Sequence, residues 1–121
     1  MADNSVTLDD LKQLVTEFRD LRDWKQFHNP KDLASAISIE SAELLENFLW
    51  KDQAEVDAVV SDSVKMEKIR DELADILIFC LSLAESTGID LSTAIQEKLE
   101  KNAAKYPVEK ARGSAKKYTE L

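Results

Sequence analysis

Cysteine, histidine, glycine and proline are all scarce in this chain of 121 residues, which holds one Cys, one His, two Gly and two Pro. A lone thiol, Cys80, excludes an intramolecular disulfide, and inside the apolar run ILIFCL it reads as a small core hydrophobe. One imidazole and one thiol cannot assemble the nitrogen-and-sulfur ligand set of a zinc site. So few turn-forming residues argue against a β-sandwich or barrel and for helices. Basic residues are in deficit too: 16 Lys and Arg stand against 24 Asp and Glu, a net charge of −8. That balance leaves no broad electropositive face for a nucleic-acid polymer or an anionic membrane. The longest apolar run, Ile76 to Leu81, falls far short of the roughly 18 residues that span a bilayer. The acidic start MADNSVTLDD has neither the basic nor the apolar region of a signal peptide, so the expectation is a soluble, cytoplasmic protein.

What the chain does have is 44% hydrophobic and 33% charged residues at helical spacing. Its length suits a single domain, residues 1–121. Thr7-LD-Asp10 has the form of a capping box, and Leu8, Leu11, Leu14, Val15, Phe18 and Leu21 follow it, predicting a first helix that runs to about Phe27. Asn29 and Pro30 open a second helix to about Trp50, with Leu33, Ile37, Leu44 and Phe48 on one face. Residues 51–62 read as a connector with room for one or two helical turns. A third helix carries Met66, Ile69, Leu73, Ile76, Leu77, Cys80 and Leu83 and stops at Gly88. Asp90 caps a fourth, with Leu91, Ala94, Ile95 and Leu99, which Tyr106-Pro107 ends; residues 107–121 form a basic tail. The expected fold is all-α, a four-helix bundle with antiparallel neighbours.

Two segments break the rule that helix stripes are apolar. On a wheel of about 100° per residue, Glu72 falls between Ile69, Ile76, Phe79 and Leu83, and Asp75 lies about 60° to one side. Glu40 and Glu43 sit beside Leu33, Ile37 and Leu44. Each pair is spaced i, i+3, so both members can reach one point. Four facing carboxylates raise one another's pKa unless something positive intervenes. The remedy is either basic side chains from a neighbouring helix or hard divalent ions held by oxygen ligands, and Lys68 and Arg70 point away from the stripe. Ligand type favours Mg²⁺, with Mn²⁺ as the alternative. A di-iron carboxylate bundle needs Glu-x-x-His motifs, which this chain lacks.

Glu40-SA-Glu43 followed by Glu72-LA-Asp75 resembles the E-x-x-E and E-x-x-D signature of the MazG-like, all-α nucleoside triphosphate pyrophosphohydrolases. The blocks RDWKQFHNPKDL, FLWK and KNAAKYPVEKARGSAKKYTEL resemble the dCTP pyrophosphatase branch in particular. The resemblance implies Mg²⁺-dependent hydrolysis between the α and β phosphates, with Glu40, Glu43, Glu72 and Asp75 as metal ligands and catalytic groups. It further implies a base pocket at Trp24, His28 and Trp50, phosphate and sugar contacts from Lys98 and Asn102, and a homodimer or homotetramer. Without it, the tryptophans read as core or interface residues, His28 as a helix-end residue, and Lys98 and Asn102 as a solvated face. Phe79 replaces a tyrosine of relatives, and Val15 stands where some carry a polar residue, which puts base preference in question.

The leading expectation is therefore a nucleotide-pool enzyme acting on dCTP or a modified dCTP. The same chemistry on dATP, dUTP or an oxidised nucleotide is one alternative. A non-catalytic helical interaction module is the other.

Overall fold

A computed structural model describes residues 1–121, and every regular element in it is helical. The first helix, α1 (Leu8–Leu21), is opened by the expected capping box between Thr7 and Asp10. It stops about six residues short of the expected end. Asp23 takes a left-handed backbone (φ 53°), and a short 3-10 turn, Lys25–Phe27, replaces the last helical stretch. The Trp24 amide bonds back to the Arg19 carbonyl, so the chain doubles over the helix end. That reversal brings the Trp24 ring edge-on to Phe18, with centroids 5.8 Å apart.

Helix α2 (Pro30–Glu46) begins as expected, with the Asn29 side chain accepting from the Asp32 amide and Pro30 in the first turn. It ends near Glu46 because the Asn47 side-chain amide donates to the Glu43 and Leu44 carbonyls. The following turn places Trp50 at φ 62°. The connector is more ordered than its polarity suggests: it forms α3 (Gln53–Val60), closed at its start by reciprocal bonds between Asp52 and Glu55. Helix α4 (Ser63–Thr87) is 25 residues long and starts at the Asp62 cap, whose side chain accepts from the Val64 and Lys65 amides.

The chain divides into two compact units, Met1–Gly88 and Ile89–Leu121. In the first, α4 is the hub against which α2, α1 and α3 pack. Only Leu33, Val59, Leu81 and Ala84 are buried apolar residues, whereas Leu73 and Leu77 on α4 remain half exposed. Cys80 is half-buried and unpaired, and burial pushes its thiol pKa up, as suits an inert thiol.

The second unit holds α5 (Leu91–Lys105), capped by Asp90, and α6 (Val108–Ala111). The basic tail is not featureless, since it adds a 3-10 turn at Tyr118–Glu120. Tyr118 meets Tyr106 edge-on at 6.0 Å, and the Lys105 ammonium lies 4.9 Å from its ring. No single helix in either unit is long and apolar enough to cross a membrane.

Gly88 ends α4 at φ 71°, and a Cβ there would touch nothing. Only the left-handed backbone opposes substitution, so Gly88→Ala should lower unfolding stability by about 1 kcal/mol, read by urea denaturation.

Candidate active site

The packing of α2 on α4 carries Glu40 and Glu43 up to Glu72. One carboxylate oxygen from each of these three lies within 4.8 Å of the others, and all three side chains are half-buried. Asp75, one turn beyond Glu72, is outside this trio and lines the adjoining cavity. No lysine or arginine forms an ion pair with any of the four. Arg70 faces a separate groove with Ile69, Leu73 and Leu77.

With the cationic remedy missing, the cluster is under electrostatic stress. Glu40 Oε2 and Glu72 Oε2 are buried without a hydrogen-bond partner. Desolvation leads, and the close approach of the Glu43 and Glu72 carboxyls with repulsion from Glu43 and Asp75 adds to it, pushing the Glu40 carboxyl up to about 7 from 4.5. Glu72 is raised as well, desolvation again leading. Orphaned carboxylate oxygens converging from two helices are what a hard divalent cation requires, so the residues fit such an ion.

Beside the carboxylates lies a cavity of about 280 Å³, lined by residues of α1, α4 and the turn between α1 and α2. Trp24 and His28 form one wall, Val15 and Phe18 another, and Asp75, Ile78, Phe79 and Ser82 the α4 side. The imidazole of His28 lies 6.3 Å from the Trp24 ring, and its Nδ1 is buried with no partner. A flat, largely apolar slot with an unsatisfied ring nitrogen suits an aromatic heterocycle.

The remaining expected residues lie elsewhere. Trp50 is 92% exposed and does not line the cavity. Lys98 and Asn102 sit one turn apart on α5 in the second unit, the lysine exposed and the asparagine half-buried. Arg19 and Ser82 are buried in the cavity wall and escaped the sequence reading. Arg19 could have been suspected from its place four residues after Val15. Nothing local announces its partner Glu85.

Comparison with known proteins comes to the same place. Residues 35–121 match the MazG-like family. The chain is 41% identical over 115 residues to rat dCTP pyrophosphatase 1, covering 95% of this chain and 68% of the relative. The human dCTP pyrophosphatase 1 is 39% identical over the same coverage. A crystal structure of a pyrophosphatase from Archaeoglobus fulgidus superposes with a TM-score of 0.78 at 38% identity, over 88% of this chain and 98% of that one.

The raised Glu40 pKa fixes a sign for stability. The unfolded carboxyl ionises near 4.5 and the folded one near 7. The folded state therefore binds more protons between these values, and stability falls as pH rises through them. In chelator, the thermal midpoint should drop between about pH 5 and about pH 7.5, and Glu40→Gln or a millimolar divalent cation should flatten that drop. A flat profile in chelator would contradict the electrostatic picture.

Proposed function

Because the chain belongs to the MazG-like family, we propose that it hydrolyses deoxynucleoside triphosphates to the monophosphate and pyrophosphate, with dCTP or a modified dCTP as preferred substrate. The observation that carries this reading is the pair of orphaned buried oxygens on Glu40 and Glu72 beside a base-sized aromatic cavity. The whole chain, 1–121, acts as one catalytic domain in the cytoplasm, where it clears nucleotides from the pool.

Glu40, Glu43, Glu72 and Asp75 hold Mg²⁺, for which Mn²⁺ substitutes. The bound ion supplies charge neutralisation for the triphosphate and acidifies the attacking water. The carboxylates do the rest: they would hold the ion, their oxygen-only set disfavours softer cations, and one of them takes the water's proton. Trp24 stacks on the base and His28 meets its edge, so the substrate is positioned from the side of the cavity that adjoins Asp75. Lys98 and Asn102 contact the phosphates and sugar.

The protein works as a homodimer or homotetramer. Four buried apolar residues are a small core for this length, and Leu45, Leu73, Leu77, Leu99 and Trp50 are each more than 45% exposed. Trp50 then packs against the second copy rather than its own cavity.

Pyrophosphate release from dCTP, dATP, dGTP, dTTP, dUTP and an oxidised nucleotide, with Mg²⁺ and with chelator, tests the chemistry and ranks the bases. Glu43→Gln and Asp75→Asn should each lower turnover at least 100-fold with an unchanged helical circular dichroism spectrum. Full activity in either variant would remove that residue from the metal set, and silence across the panel would favour an interaction module. Light scattering at micromolar concentration should return a dimer or tetramer, and a monomer would refute the assembly.

A further inference from the structure

Arg19 is the one cation of the cavity wall and is only 4% exposed, on a helix whose apolar residues are largely open to solvent. Arginine is almost never buried to this degree without acceptors. Its Nε donates to Asp20 Oδ1 at 2.8 Å, with Nη2 the same distance from that oxygen, and Nη1 donates to Glu85 Oε2 at 2.6 Å. A guanidinium has five N–H donors; the two hydrogen bonds occupy two of them and Nη2 is held to Asp20 as an ion pair, so free N–H donors remain on both terminal nitrogens. The two carboxylates hold the plane of the group still, at the wall that Trp24, His28, Phe79 and Ser82 share.

We infer that Arg19 is a specificity-determining residue of the base cavity and selects the Watson–Crick edge of cytosine against those of uracil and thymine. The inference rests on the proposed hydrolysis and names the residue that reads its base.

The chemistry of the edges makes the choice. A guanidinium only donates and does not deprotonate in a protein. Cytosine presents two adjacent acceptors, O2 and N3, which one free donor from each terminal nitrogen can meet as a fork. Uracil and thymine carry a proton on N3, so donor would face donor and a buried polar pair would go unmatched. Adenine offers a single acceptor on this edge, and guanine offers two donors. Guanine's other edge has two acceptors, O6 and N7, but no neighbouring amine. Cytosine's N4 amine does have a neighbour here: His28 Nδ1, buried and without a partner, accepts from it when the ring proton is on Nε2.

Phe79 and Val15 fit this assignment by what they withhold. Both line the cavity and neither has a side-chain donor or acceptor, so they cannot satisfy a uracil N3–H. Outside the carboxylate cluster, the polar side chains of the wall are Arg19, His28 and Ser82, and of these only Arg19 presents several fixed donors.

The test measures kcat/KM for dCTP, dUTP, dTTP and dGTP in the full-length protein with Mg²⁺, for wild type, Arg19→Met and Arg19→Lys. The lysine variant keeps a buried positive charge toward Asp20 and Glu85 while losing the planar fork, and so guards against a methionine variant that fails to fold. Both variants should narrow the dCTP-to-dUTP ratio roughly ten- to hundredfold, mainly through loss on dCTP. An equal loss on every base, or an unchanged ratio, would overturn the inference and leave Arg19 a structural residue. Calorimetric binding of dCMP and dUMP separates this from the chemistry. If wild type hydrolyses no triphosphate, the proposed hydrolysis fails, while a dCMP preference that vanishes in Arg19→Met still supports Arg19 as the base reader.

Discussion

Like charges held together by helix packing are the constraint on which the first unit turns. The same α2 and α4 contact that buries Leu33 and Leu81 also presses Glu40, Glu43 and Glu72 into one another's field. Apolar burial of this kind contributes about 25 cal/mol per Å², and part of it is offset by the unpaired carboxylate oxygens. A protein does not carry that penalty for stability. A divalent cation bound there would relieve it, which would link metal binding to folding.

The cavity beside the cluster follows a second economy of charge. Arg19 is paired with Asp20 and Glu85 and with none of the four site carboxylates. Two kinds of polar group are thereby separated: unpaired acceptors on Glu40 and Glu72, and a fixed donor set in the cavity wall. Trp24 and Phe18 divide the solvent from this second region, and the left-handed turn at Asp23 is what allows Trp24 to reach back.

The small buried core and the exposed leucines of α4 make a single copy of the chain look unfinished. Half-exposed Leu73 and Leu77 lie on the face of α4 that carries Arg70, away from the carboxylates. Assembly through that face would complete the hydrophobic core without touching the acidic cluster.

The local code of this protein was legible without coordinates. Thr7, Asn29, Gly88 and Asp90 punctuate the helices through hydrogen bonds or backbone angles that span a few residues, and the i, i+3 acidic pairs announce themselves by sitting in apolar stripes. What depended on tertiary structure was everything set by distant parts of the chain. Periodicity carried the first helix through to Phe27, because nothing in the residues from Arg22 to Trp24 signals that the ring of Trp24 packs back on Phe18. The orphaned state of the Glu40 and Glu72 oxygens needed two helices placed side by side. The burial of Arg19 needed Glu85, 66 residues away, to hold its guanidinium. Side-chain spacing along one helix determines which groups share a face; only the packing of several helices decides which of those groups are left without water or a partner.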